Sequence, residues 1–201
     1  MTARLGWMPG LTIAAVALSL SACASTSGDG DAASGSVALA DNGSVVTPAH
    51  AAVAPSGGAG ATLTTAAGQA VGTVTASATR GGVTFTVDGR MLPAGVHGIH
   101  VHGVGQCEGP KFASAGGHWN PTGRMHGKDN PAGPHQGDLP NLTIDAGGTG
   151  TLTYTVPGAT LAGLLDADGA AFIIHANADD YRTDPAGASG DRIACGVFSA
   201  A

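Results

Sequence analysis

Charge is scarce in this chain. Asp, Glu, Lys and Arg make up 11% of its 201 residues, under half the usual share of about 25%. Aromatic residues reach only 4%. These shortages argue against a coiled coil or a charged helical bundle. Cations are the scarcest: 8 Lys and Arg stand against 14 Asp and Glu, for a net charge of -6. A nucleic-acid-binding stripe needs clustered cations, so no nucleic-acid partner is expected. Long apolar runs are also missing. The run Leu11 to Leu20 has ten residues, too short to span a bilayer. What is abundant is Gly, at 34 residues, and His, whose 8 residues equal Lys and Arg together; the 3 Cys are an odd number.

The apolar run suits the central region of a signal peptide. It ends in Leu20-Ser21-Ala22-Cys23, which resembles the lipobox of bacterial lipoproteins. Residues 1–22 are therefore expected to be a lipoprotein signal peptide, and Cys23 the lipidated first residue of the mature chain. A thioether diacylglycerol carries two acyl chains, enough for stable membrane anchoring. Residues 23–60 are rich in Ala, Ser, Gly, Thr, Val and Pro and contain no Lys or Arg. They read as a flexible tether, with His50 inside it and without a function.

Residues 61–201 form the expected domain, about 140 residues and enough for one core. Strand patterns dominate. Val71 to Ala78 and Val83 to Asp88 alternate around Arg80-Gly81-Gly82, a hairpin turn. Gly98 to His102, Leu139 to Asp145, Thr149 to Val156, Ala171 to His175 and Ile193 to Phe198 read as further strands. No segment has a convincing amphipathic helical pattern, and Leu161 to Leu165 reads as a turn. Many short strands between Gly-rich turns predict an all-β fold, an antiparallel sandwich or flattened barrel. One connection, Gly103 to about Gly137, is long and has no strand pattern. Such a loop in a small domain is usually functional and needs something to hold it.

His100 and His102 stand two apart in a strand, so their imidazoles share a face roughly 6.5–7 Å apart. Two solvated or satisfied strand histidines would look the same. The long loop adds His118, His126 eight positions on, His135 nine further, and then Asp138. Three imidazoles and a carboxylate make a tetrahedral N3O set suited to zinc, and a bound metal would hold the loop in order. His175 follows the apolar run Ala170 to Ile174.

Six segments now stand together: Gly98-Ile-His-Val-His-Gly103, Gly117-His-Trp-Asn-Pro121, Arg124-Met-His-Gly127, His135-Gln-Gly-Asp-Leu139, Ile174-His-Ala-Asn-Ala-Asp-Asp180 and Asp191-Arg-Ile-Ala-Cys-Gly196. In type, order and local spacing they resemble the copper/zinc superoxide dismutases, over about Ala61 to Ala201. The resemblance implies a Greek-key, immunoglobulin-like β-sandwich with a long metal-binding loop and an electrostatic loop. It implies one copper per subunit on His100, His102, His118 and His175. It implies one zinc on His118, His126, His135 and Asp138, with His118 bridging the two metals. Asp179 matches a carboxylate that hydrogen-bonds ligand imidazoles of both metals. Arg192 matches the arginine that guides the anion, so His118 and Arg192 carry the catalytic roles. His97 matches a structural position outside the metal sets. Cys107 and Cys195 match the family's disulfide pair, closing a loop of nearly 90 residues.

The implied reaction dismutes superoxide to O2 and H2O2 by alternate reduction and reoxidation of the copper, while zinc organises the loop. Only 11 residues separate Asp180 from Arg192, so the electrostatic loop is short, as in the bacterial branch. That leaves open which cations steer superoxide, with Lys111, Lys128 and Arg182 as candidates, and whether the chain pairs as a homodimer. Export places the enzyme outside the cytoplasm, lipid-anchored on the cytoplasmic membrane's outer face or elsewhere in the envelope, against extracytoplasmic superoxide. A copper or zinc buffer is the main competing class, but it needs neither Arg192 nor Asp179. A zinc hydrolase needs an open zinc position and a general base, whereas this zinc set already has four protein ligands.

Overall fold

The computed structural model describes residues 57–201. The expected signal peptide, Cys23 and nearly all of the tether, His50 included, lie outside the described residues. Ten strands follow in order: β1 (Gly58–Thr64), β2 (Ala70–Thr79), β3 (Gly82–Gly89), β4 (Gly95–His97), β5 (Ile99–His102), β6 (Leu142–Ile144), β7 (Gly150–Pro157), β8 (Ala171–His175), β9 (Arg192–Val197) and β10 (Ser199–Ala200). The main antiparallel sheet runs β5-β8-β9-β1-β2-β3-β7, with β10 added on β1, and β4 pairs separately with β6. The chain crosses between the β3/β7 end and the β5/β8 end three times: from β3 through β4 to β5, from β5 through the long loop and β6 to β7, and from β7 through the single-turn helix α1 (Leu161–Leu164) to β8. These crossings give the curled antiparallel sheet, itself expected from the strand patterns, the Greek-key connectivity that the resemblance implies.

Most predicted strands form, and the departures have local reasons. The β2–β3 hairpin closes with Thr79 opposite Gly82, so Gly82 belongs to the ladder rather than to the turn. β1 starts at Gly58, inside the segment expected as tether. Its Gly-Ala-Gly-Ala start has the tether's own composition. The expected strand from Leu139 shortens to β6 because Pro140 carries no N–H for a ladder. Leu161 to Leu165 closes as one helical turn, capped by Thr160 Oγ1 accepting the Gly163 N–H at 3.0 Å.

Alternation decides what is buried. Val83, Phe85 and Val87 of β3 face inward with Val74 and Ala76 of β2, and Ile99, Val101, Phe172 and Ile174 enter the same core from β5 and β8. Phe85 and Phe198 pack edge to face with ring centroids 5.9 Å apart. Each such side chain stabilises by about 1.5–3 kcal/mol when fully buried.

Strands β5 and β8 are buried on both faces. One face of β5 supplies the core with Ile99 and Val101, and the other carries His100 and His102 beneath the long loop. A second small core of Phe112, Ala115, Ala171, Ile173 and Cys195 lies on that other face, with Cys107 packed against it. The Cys107–Cys195 disulfide is formed and fixes the start of the long loop to β9.

Candidate metal centre

The long loop returns twice to β5. His102 pairs with His118 and His100 with Asp138 in isolated antiparallel bridges. Backbone hydrogen bonds from Val101 N to Gly137 O, at 2.9 Å, and from Trp119 N to Val101 O, at 2.8 Å, hold these returns. A loop without strands of its own is thus ordered by borrowing a strand's unpaired backbone. A register shift between Ile174 and His175 sets His175 opposite Arg192 at the end of β8.

Two groups of ligand atoms result. The first is His100, His102, His118 and His175, whose nitrogens lie within 4.8 Å of one another. Each ring has one nitrogen already engaged. His100 Nε2 lies 2.8 Å from Asp179 Oδ2, His102 Nδ1 2.9 Å from the Gly116 carbonyl, His175 Nδ1 3.1 Å from the Gly190 carbonyl and His118 Nδ1 2.8 Å from Asp138 Oδ1. The other nitrogens, His100 Nδ1 and Nε2 of His102, His118 and His175, are buried without partners. An oxygen acceptor on one side of a neutral ring draws the proton there and leaves a lone pair on the other. Buried polar atoms left unsatisfied cost about 1–3 kcal/mol each. Four inward lone pairs therefore fit a metal ion and fit little else.

The second group centres on Asp138. Its Oδ1 lies 2.8 Å from His118 Nδ1, 3.1 Å from His126 Nδ1 and 3.1 Å from His135 Nδ1. His135 Nδ1 is 3.4 Å from His118 Nδ1. Four ligands about 2.0 Å from one ion at tetrahedral corners stand about 3.3 Å apart, so these spacings fit zinc. By mutual distance within 4.8 Å, His100 rather than His135 groups with His118, His126 and Asp138. But His100 Nε2 is taken by Asp179 and its Nδ1 belongs to the first set, whereas His135 joins through Asp138 Oδ1 and His118 Nδ1. Asp138 Oδ2 accepts the Gly127 and His135 N–H groups, at 2.9 and 3.0 Å, which orients the carboxylate.

Asp179 stands behind both groups. One of its oxygens meets His100 Nε2 and the other meets His126 Nε2 at 3.1 Å. Gly187 makes this contact available. Its φ is +63°, and a Cβ there would overlap Asp179 Oδ1 and stand 2.7 Å from His126 Nε2. Arg192 opens β9. Its Nη1 donates to the Phe112 carbonyl at 2.6 Å and its Nη2 to the Gly116 carbonyl at 2.7 Å. The Gly116 carbonyl therefore joins the guanidinium to His102. Lys111 lines a cavity of about 280 Å³ together with Arg192. Lys128 instead lies 4.1 Å over the Tyr181 ring. His97 is buried apart from both groups, its nitrogens 2.8 Å from the His175 carbonyl and 2.9 Å from the Pro93 carbonyl.

The electrostatics of the metal-free centre follow from this packing. Burial pushes His100 down to about 3, with Asp179 offsetting only part of it. Burial also pushes His102 down to about 2 and His175 to about 4. His118 is lowered, again chiefly by burial. Burial opposes protonation of His126 too, but the carboxylates of Asp138 and Asp179 outweigh it and raise the ring to about 9. Burial favours the neutral form of Asp138, yet hydrogen bonds from His118, His126 and His135 hold it well below the usual carboxylate range. Asp179 is likewise held low by His100 and His126 despite its burial.

Every ligand residue expected from the sequence is brought to one of these two groups, and Asp179, Arg192 and the disulfide flank them. The spacing rules had no signal for Asn141, Tyr181, Asp184 or the Gly116 carbonyl. These contact the centre through backbone groups or across long separations, as with His126 N–H donating to Asp184 Oδ1 at 2.7 Å.

Residues 70–198 match the family model for copper/zinc superoxide dismutase. A copper/zinc superoxide dismutase of Aquifex aeolicus is 40% identical over 137 residues, covering 65% of this chain and 80% of the relative. The crystal structure of a superoxide dismutase-like protein from Bacillus subtilis is similar at 40% identity and a TM-score of 0.66, over 69% of this chain and 96% of that one. The copper/zinc enzyme of Brucella abortus is similar at 33% identity and a TM-score of 0.60, over 70% and 98%. With a two-group histidine centre on a Greek-key sheet, the chain belongs to the copper/zinc superoxide dismutase family, enzymes that use copper and zinc to dismute superoxide.

Proposed function

We propose that dismutation runs at a copper held by His100, His102, His118 and His175, beside a zinc held by His118, His126, His135 and Asp138. The observation that carries this reading is the set of four buried, unpartnered ring nitrogens in the first group, each opposite an engaged one. When bound, copper supplies a one-electron centre alternating between Cu(II) and Cu(I), so that one superoxide gives O2 and the next, with two protons, gives H2O2.

The protein's own residues bind, orient and move protons. Gly116 and Gly190 carbonyls and Asp179 fix three of the imidazoles in the tautomer with the lone pair inward. His118 serves both groups, and its Nε2 is the atom that can hold a proton while Nδ1 stays with the zinc set. Arg192, tied at two corners, keeps further N–H donors for an anion. The protein is negatively charged overall, so local positive potential at Arg192 and the metals has to outweigh the net charge. Lys111 is the steering cation that this cavity favours. The zinc set has no role in electron transfer; it holds the loop that presents His118 and orders Asp179's second oxygen.

The protein acts outside the cytoplasm, with residues 1–22 as a signal peptide, Cys23 lipidated and residues up to about 57 as a tether. The Cys107–Cys195 disulfide supports an oxidising compartment. Replacing Cys23 with Ser is expected to release soluble protein, and membrane association that persists in the mutant would refute the anchor. The decisive test of the enzyme reading is metal analysis together with a superoxide-decay assay on the oxidised, metal-loaded protein. One copper and one zinc per chain with rapid decay is expected. Copper-loaded protein without turnover would establish a buffer instead.

A further inference from the structure

We infer that Asn141 is the positioning residue for Asp179, and that through Asp179 it sets the orientation of His100 and His126 together. This rests on the metal assignments proposed above and goes beyond them, because Asn141 meets neither metal group itself.

Asn141 grips the backbone of Asp179 from both sides. Its Nδ2 donates to the Asp179 carbonyl at 2.9 Å, and its Oδ1 accepts the Asp179 N–H at 2.8 Å. Both polar atoms of one amide side chain thus close a ring on the backbone of a single residue. A third link runs the other way: the Asn141 N–H donates to the Tyr181 hydroxyl at 2.8 Å. Tyr181 in turn donates its own N–H to Asp179 Oδ1 at 2.7 Å, the oxygen that meets His126. Three hydrogen bonds thus join Asn141 to the Asp179–Tyr181 segment across 38 to 40 residues of sequence, and a fourth, local one carries the Tyr181 link on to the carboxylate.

The base of this grip is firm. Asn141 leads directly into β6, which pairs with β4 next to β5. Leu142 and Ile144 of β6 are core residues. The loop that carries Asp179 has no strand of its own. A carboxylate that must meet one imidazole with each oxygen tolerates little rotation, and the loop alone does not define it. Asn141 transfers the rigidity of the sheet to that carboxylate.

The test is a double-mutant cycle on the full mature chain, read by zinc affinity in chelator competition and by the electron paramagnetic resonance spectrum of bound Cu(II). Partners of metal-ligating histidines typically tune affinity by 10–100-fold. Asn141 acts one step further out, so Asn141→Ala is expected to weaken zinc binding about three- to tenfold. It should also shift the copper spectrum in the same direction as Asp179→Asn. In an Asp179→Asn background, Asn141→Ala should add little, since residues acting through one another are not additive. Equal losses in both backgrounds, or unchanged zinc affinity and copper spectrum, overturn the inference.

Val74→Ala, a core truncation on β2 away from β6, serves as the reference for a purely structural change: it should lower Tm while leaving zinc affinity and the copper spectrum alone. Should Asn141→Ala fail to fold, Asn141→Asp keeps the acceptor for the Asp179 N–H but sets a carboxylate oxygen against the Asp179 carbonyl in place of the Nδ2 donor. It is then expected to show a loss in the same direction, and an unchanged affinity overturns the inference as well. An Asp179→Asn protein with wild-type zinc affinity and copper spectrum would instead remove the underlying assignment of Asp179, an outcome distinct from a failure of Asn141 alone.

Discussion

His118 and Asp138 meet at 2.8 Å, ring Nδ1 to carboxylate Oδ1, while Nε2 of the same ring faces the three other imidazoles of the first group with no partner. One side chain therefore belongs to both groups. His118→Ala is expected to abolish superoxide decay, to lower zinc content and to change the copper spectrum. Metal analysis checks this directly. A mutant with unchanged zinc content would count against His118 as the shared ligand.

Arg192 is fixed by the Phe112 and Gly116 carbonyls and shares a cavity with Lys111. Fields from a few cations in a cleft raise association rates by about 10–1000-fold and weaken with salt. Arg192→Ala is expected to lower kcat/KM at least about tenfold at low ionic strength. It should also lower Tm, because two carbonyls lose their donor. Lys111→Ala should lower kcat/KM less and flatten its salt dependence without changing Tm. A Lys111→Ala enzyme with the parent's full salt dependence removes Lys111 from steering.

The Cys107–Cys195 bond joins positions 88 apart. A loop of that length stabilises by about 4–5 kcal/mol in the chain-entropy picture. Reducing the metal-free protein, or replacing both residues with Ser, is expected to remove most of that stability in a denaturant titration. The mutant should also lose activity beyond its loss of stability, because Cys107 anchors the segment that carries the Phe112 and Gly116 carbonyls. Full activity in the folded double mutant would show that Arg192 is held without the disulfide.

Part of the candidate site was legible in sequence because strand period and residue chemistry are local. His100 and His102 share a face by alternation alone, and a loop that brings His118, His126, His135 and Asp138 suggests a metal that holds it. β1 was not legible, since Gly58 to Ala61 reads like the tether before it and becomes a strand only by pairing between β2 and β10. Asn141 and Tyr181 gave no signal either. Their contacts span 38 and 40 residues, and an Asn before a strand looks like any turn residue. The separation of the six imidazoles into two groups came from family resemblance. In the fold it comes from which ring nitrogen each carbonyl or carboxylate engages.

The metal-free protein should be most stable near neutral pH, falling off on both sides. His126 is raised to about 9 in the folded state, above an unfolded value of about 6.5. Its contribution is fully present below about 6.5 and lost as pH rises through about 9. His100, lowered to about 3, and His175, lowered to about 4, act in the opposite sense. Their contributions are present above about 6.5 and lost as pH falls toward those values. Tm of the metal-free protein, measured from pH 5 to 10, is expected to peak between about pH 6 and 7.5. Zinc requires a deprotonated ring, so loading at pH 7 should release the His126 proton, and this is readable by calorimetry in buffers of different ionisation enthalpy. A Tm that keeps rising from pH 7 to 9, or zinc binding without proton release, contradicts the His126 environment described above.

Gly187 and Gly68 separate backbone strain from disturbance of the centre. Both have left-handed backbones, with φ of +63° and +79°. Around Gly68 an added Cβ meets nothing within 4 Å, whereas at Gly187 it would overlap Asp179 Oδ1 and press on His126 Nε2. A left-handed L-residue costs about 1–2 kcal/mol by itself. Gly68→Ala is expected to show that loss and keep its zinc affinity and activity. Gly187→Ala should lose more stability and should weaken zinc, because the carboxylate has to leave one of its two imidazoles to make room. Chemical denaturation and chelator competition on the two mutants, side by side, measure the difference. Equal stability losses and equal zinc affinities would mean that the Asp179 carboxylate can move without consequence, and its role as the link between His100 and His126 would then be untenable.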